Sequence, residues 1–176
     1  MIECQKLEKE DKVAAALIFR REELLYDIRN LAFVEGDLMP DDLNHNRHVV
    51  QDIGEDGNID RVTRILDLTI ARCREMLFPY TKHELHELVL DDRLRNQKIY
   101  GIVLTLPKSF SQTTLSLLEH FIHELLVCEA VTEWMRIANP GKAASWKEKA
   151  EETAKSIKRH LNGRLDHPRI RQHWLV

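Results

Sequence analysis

SQTTLSLLEHFIHELLVCEAVTEWMRIANPGKAASWKEKAEETAKSIKRHL, Ser111 to Leu161, decides the fold. Leu115, Leu118, Phe121, Ile122, Leu125, Leu126, Val131, Trp134 and Met135 recur at helical spacing over about seven turns of ~3.6 residues each. A stripe this wide predicts the central helix of a bundle. Ser116, Glu119, His120, His123, Glu133 and Arg136 fall away from it. Asn139-Pro140-Gly141 breaks the pattern, and a second helix follows with Ala143, Trp146, Ala150, Ala154, Ile157 and Leu161 in a narrow seam. Asn162-Gly163 fits its C-cap. So short a connection predicts an antiparallel helical hairpin.

Upstream, Lys6 to Val34 has few breakers and carries Leu24, Leu25, Ile28, Leu31 and Ala32 at helical spacing, so it reads as one helix. Gly36 and the Asp37 to Asp42 run, with Pro40, end it. A short piece, Leu43 to Ile53, leads to a turn at Gly54-Glu55-Asp56-Gly57-Asn58. Ile59, Val62, Ile65, Leu66, Thr69, Cys73, Met76 and Leu77 then form the stripe of another helix, stopped at Pro79. Thr81 and Glu84 fit a capping box, so Lys82 to Leu90 reads as a short helix, while Leu85 to Leu90 reads equally as a strand. Ile99 to Leu106 is the one good strand, rich in β-branched and aromatic residues. A lone strand leaves its backbone unsatisfied, so it requires a partner, either residues 85–90 or a strand of another subunit.

The expectation is a mainly α fold: a bundle of about five helices with a minor β-hairpin or strand near residues 85–106. Composition agrees. The chain has 176 residues, 43% hydrophobic and 31% charged, with six glycines and five prolines, which suits one helical domain. A net charge of −3 gives no overall field for nucleic acid or anionic membrane. Cys4, Cys73 and Cys128 are odd in number and far apart, which fits reduced thiols in the cytoplasm. The charged start is unlike a secretory signal, and no apolar run is long enough to span a bilayer.

Histidine supplies the candidate metal ligands. His45 and His48, His83 and His86, and His120 and His123 are each three apart, which puts both rings of a pair on one side of a helix. Zinc or another divalent metal needs third and fourth ligands to converge. Neither a His-Glu-x-x-His motif nor Glu-x-x-His partners accompany the pairs, and no cofactor is expected. Nucleophilic catalysis lacks a Gly-x-Ser-x-Gly elbow, Cys128 lies on an apolar stripe, and no glycine-rich phosphate loop is present. No catalytic residue is assigned.

The tail differs from the domain before it. Residues 1–163 read as the helical domain and 164–176 as a basic arm. From Lys158 onward, Lys158, Arg159, Arg164, Arg169 and Arg171 stand against one acid, Asp166, and the segment ends in Trp174-Leu175-Val176. Arg164, Arg169, Arg171, Trp174 and Leu175 are the candidate interaction residues, with Trp174 as anchor and the arginines seeking an acidic surface. The Ile99 to Leu106 strand is a further candidate contact. Nucleic acid is another partner for such a tail, on a thin footprint.

Leu104 to Leu115, the run Leu126 to Trp134, Asn139-Pro140 and Ala144 to Ala150 together resemble small helical proteins encoded in prophage-like regions of bacterial genomes. In plan, helices with one small β element and a terminal arm, the chain is similar to the head-to-tail connector proteins of tailed phages. That resemblance implies a ring-forming structural protein without cofactor or catalytic residues, cytoplasmic or virion-associated, whose partners are its own copies or other structural proteins. The alternatives from the residues are a metal-binding helical bundle or metalloenzyme using the His pairs and a nucleic-acid-binding regulatory module using the tail.

Overall fold

The structure, a computed structural model, describes residues 12–40, 44–78, 80–81 and 98–162. Their order is β1 (Lys12–Arg20), α1 (Arg21–Asp37), α2 (Asn44–Gln51), a 3-10 turn at Asp52–Gly54, α3 (Asp56–Met76), β2 (Ile99–Pro107), α4 (Gln112–Ala138) and α5 (Pro140–Asn162). The fold is mainly α, five helices with a small two-stranded antiparallel sheet.

Helix α4 is the centre. It touches α1, α2, α3, α5 and β1. Leu125 to Cys128, Ala130 to Thr132, Trp134 and Met135 are all buried, so its second half is covered around most of its circumference, with only Glu129, Glu133, Arg136 and Ile137 reaching toward solvent. A helix apolar all round belongs in the interior. Ser111 caps it, accepting a hydrogen bond from the Thr114 backbone N–H at 3.4 Å. After Asn139 the chain reverses and α5 lies back along α4, burying Ala143, Trp146, Ala150, Ile157 and Leu161.

The sheet corrects two expectations. Lys6 to Val34 is not one helix: residues 12–20 are a strand and the helix begins at Arg21. β2 therefore finds its partner in β1, in a continuous register from Lys12↔Pro107 to Arg20↔Ile99. Residues 82–97 lie outside the described residues. The alanines at 14–16 favour helix locally, but the β2 backbone needs a neighbour and Leu17 and Phe19 bury on the same face as Tyr100 and Ile102. Tertiary pairing outweighs propensity here. Arg21 N–H donates to the Lys98 carbonyl at 3.0 Å, so the ladder runs straight into α1.

Helix α1 buries Leu24, Ile28 and Ala32, each four residues from the next, and Glu22 and Glu23 lie in its first turn, where a helix dipole favours acids. Gly36 lies inside the last turn rather than ending the helix. A Cβ there would come within 2.7 Å of Gln51 Cγ and 3.2 Å of the Arg47 carbonyl, so the glycine lets α2 approach closely. Helix α3 buries Val62, Leu66, Thr69 and Cys73 of the stripe expected of it, together with Thr63 and Ile70, while Ile59, Ile65 and Met76 are half-buried.

The two tryptophans of the hairpin act as ties. Trp134 donates its indole N–H to the Val50 carbonyl at the end of α2, 3.0 Å away, and Trp146 donates to Glu35 Oε1 on α1 at 3.2 Å.

Candidate interaction surface

The outward face of α1 carries two of the large apolar side chains that the core leaves exposed. Tyr26 is 70% exposed and Phe33 57% exposed, seven residues apart on the side opposite Leu24, Ile28 and Ala32. Arg29 and Asn30 lie between them, completing the spacing i, i+3, i+4, i+7. Tyr26, Arg29, Asn30 and Phe33, with Gln51, Gly54 and Glu55 opposite, line a shallow depression of about 490 Å³. Arg29 is held along its floor, donating from its guanidinium to the Gly54 carbonyl at 3.1 Å.

Tyr26 also borders a second depression, about 460 Å³, lined by Glu22, Glu23, Asp27 and His123. Three carboxylates therefore gather at the N-terminal end of the aromatic face. His123 Nε2 donates to Asp27 Oδ2 at 2.8 Å, which fixes the Asp27 carboxylate. Glu23 faces Arg20 at 3.6 Å, an exposed pair worth little. Exposed Tyr, Phe and Arg side by side, rimmed by charge, is the composition of protein interfaces.

A second groove, about 1010 Å³, runs between α3 and α4, with Arg61, Arg64 and Leu68 on one wall and Glu129 and Glu133 on the other. Arg72 crosses it to Glu129 at 3.4 Å, and Arg136 pairs with Glu133.

The candidate metal ligands are dispersed. His45 and His48 are exposed on α2, and His120 is exposed on α4. His123 is not the surface residue its helical face predicts: it is half-buried between α4 and α1 and committed to Asp27. His83 and His86 lie outside the described residues. Among the described residues no group of three His, Cys, Asp or Glu side chains is placed to hold a metal ion.

Both described thiols are buried. Burial, aided by Glu129, pushes Cys73 up to about 12, and burial, aided by Glu124, does the same to Cys128. Such thiols are poor nucleophiles at neutral pH. Cys128 Sγ lies 3.6 Å from Glu124 Oε1, whose carboxylate is paired with Lys149, and Lys149 lies 5.0 Å above the Trp146 ring.

One buried polar cluster stands apart. The Tyr100 hydroxyl, wholly buried, lies beside the Asp67 carboxylate, yet neither it nor Asp67 Oδ1 makes a hydrogen bond of regular geometry. Burial and then the Asp67 charge push the phenol well above its ordinary range.

Strand β2, a candidate contact by its sequence, is paired along one edge and engaged at two points on the other. β1 takes one edge. On the other, the Thr105 N–H donates to the Tyr80 carbonyl at 2.8 Å and Arg74 donates to the Gly101 carbonyl at 2.7 Å. Thr81, the expected cap of a helix at 82–90, donates its hydroxyl back to the Arg74 carbonyl at 2.6 Å.

Arg164, Arg169, Arg171, Trp174 and Leu175 lie outside the described residues. The sequence reading missed Tyr26, Phe33 and the three acids beside them. The signal was present: two aromatics seven apart, opposite the apolar stripe of the same helix. No helix among the described residues is long and apolar enough to cross a membrane. Comparison with known protein families, with curated protein sequences and with solved structures finds no match to this chain.

Proposed function

We propose that the protein is a non-enzymatic assembly protein that binds copies of itself or other structural proteins, as the resemblance to phage connectors implies. The observation that carries this reading is the outward face of α1. A chain that is 31% charged has ample polar residues to cover a surface helix, yet Tyr26 and Phe33 stand exposed there. Exposed aromatics in line on a rigid helix are worth most when a partner covers them.

The test is self-association of the full chain. Light scattering from low to high micromolar concentration is expected to show a rise in mass, lost on deletion of residues 164–176. A protein that stays monomeric throughout, with and without those residues, overturns the proposal.

A further inference from the structure

We propose that the acid-and-aromatic face of α1 is the acceptor for residues 164–176 of a neighbouring copy. The inference rests on the assembly reading above and adds the surface that the basic segment would bind.

Charge is the first argument. The segment carries Arg164, Arg169 and Arg171 against Asp166 alone, while Glu22, Glu23 and Asp27 gather around one depression on α1. Glu22 makes no ion pair among the described residues, and Glu23 has only the exposed pair with Arg20. These carboxylates are available to guanidinium groups, which bind carboxylate in a bidentate fork.

Length is the second. Glu22 and Phe33 are eleven residues apart on one helix, about 16 Å at ~1.5 Å per residue. Arg169 and Trp174 are five residues apart, also about 16–18 Å when extended at ~3.3–3.6 Å per residue. With Arg169 beside Glu22, Trp174 reaches the Phe33 side of the depression, lined also by Tyr26, Arg29 and Gln51. Aromatic rings on two sides and a guanidinium on the floor suit an indole. Leu175 follows it onto the Phe33 end.

The donor segment follows α5 and the acceptor is α1, two helices that both pack on α4, so a segment passed to the α1 of the next copy joins unlike patches of the two chains. Contacts of this heterologous kind propagate from copy to copy and close into rings or extend into filaments.

The experiment uses two variants with opposite defects. One lacks residues 164–176 and keeps the α1 face. The other keeps the segment and carries Glu22→Lys, Glu23→Lys and Tyr26→Ser, all at exposed positions, with circular dichroism confirming that both fold. Each alone is expected to be monomeric, or to self-associate at least tenfold more weakly than wild type. Mixed, they are expected to form a one-to-one heterodimer that weakens as salt is raised from 50 to 500 mM. If wild type associates but the mixture does not, the α1 acceptor is wrong and the assembly reading survives. If wild type is monomeric, both fail. If the α1 variant associates as well as wild type, the acceptor lies elsewhere and the proposal is overturned.

Discussion

Trp146 of α5 donates its indole N–H to Glu35 Oε1 of α1 at 3.2 Å, while Lys142 approaches Glu35 Oε2 at 3.5 Å. One carboxylate, mostly shielded from solvent, thereby ties the last helix of the bundle to the first. A buried N–H that loses its acceptor costs more than the bond itself contributes.

Glu35→Ala is therefore expected to cost about 1–2 kcal/mol, roughly 2–8 °C in Tm for a chain of this size. Glu35→Gln keeps an acceptor for the indole and is expected to cost less than about half as much. Trp146→Phe combined with Glu35→Ala should cost less than the two separately, because they share one contact. Thermal unfolding followed by circular dichroism measures all four proteins. Fully additive losses would show that the indole and the carboxylate do not interact.

Tyr100→Phe makes the opposite case. The hydroxyl is buried beside Asp67 without a hydrogen bond of regular geometry, so removing it takes away a desolvated polar group and keeps the ring that packs in the core. Stability is expected to stay level or rise by up to ~1 kcal/mol. Tyr100→Ala, by contrast, should cost about 3–5 kcal/mol through the cavity it leaves. Urea titration distinguishes the two. A loss above ~1 kcal/mol in Tyr100→Phe would mean that the hydroxyl donates to Asp67 after all.

The helical hairpin was legible because its period and breaker are local: nine apolar positions and Asn139-Pro140-Gly141 define it without reference to the rest of the chain. The five-helix plan with a small β element followed from the same kind of signal. β1 was not legible. Its Ala14-Ala15-Ala16 run reads as helix, and only the need of β2 for a partner 78 or more residues away in sequence makes it a strand. Contacts at that separation leave no periodic trace. His123 shows the same gap at the level of one side chain: its helical position pointed to solvent, but α1 crosses α4 there and supplies Asp27. The aromatic face of α1 was readable in principle, since Tyr26 and Phe33 are seven apart. It was hidden because nothing local marks the change from strand to helix at Arg21, and without that boundary the two rings do not stand out from the apolar residues around them.

Alkaline conditions should destabilise the protein. Cys73 and Cys128 are pushed from 9.0 up to about 12 in the fold, whereas in the unfolded chain they titrate near 9.0. Between those values the unfolded state loses protons that the native state keeps, so native stability is full below pH 9 and declines as pH rises toward 12. The slope approaches ~1.4 kcal/mol per pH unit for each thiol. Tyr100 and Lys149, both also shifted upward, act with the same sign. Tm is expected to fall steadily above about pH 9. Cys128→Ala should be less stable than wild type at neutral pH but lose stability more slowly, so the two curves converge between about pH 9 and 11. Parallel curves would show that the Cys128 thiol ionises as readily in the fold as outside it.

Two helical glycines should respond to alanine in opposite directions. Gly57, in the first turn of α3, has open space out to 4 Å where an alanine Cβ would sit. Alanine there lowers the entropy of the unfolded chain, so Gly57→Ala is expected to stabilise by about 0.4–1 kcal/mol. Gly36 faces α2, where a Cβ would press on Gln51 Cγ at 2.7 Å and on the Arg47 carbonyl at 3.2 Å. Gln51 can swing aside, at the loss of its long bond to the Phe33 carbonyl, but the Arg47 backbone cannot without moving α2. Gly36→Ala is therefore expected to be neutral or destabilising by up to ~1 kcal/mol, and Gly36→Val, with two further methyls against the same backbone, by ~1–3 kcal/mol. Moving α2 also shifts Gln51 and Gly54, which form the far wall of the depression beside Tyr26 and Phe33. Gly36→Val should accordingly weaken self-association more than its loss of stability alone accounts for, a difference that sedimentation at a temperature well below Tm reads directly. Equal association by wild type and Gly36→Val would separate the α1–α2 junction from the interaction surface.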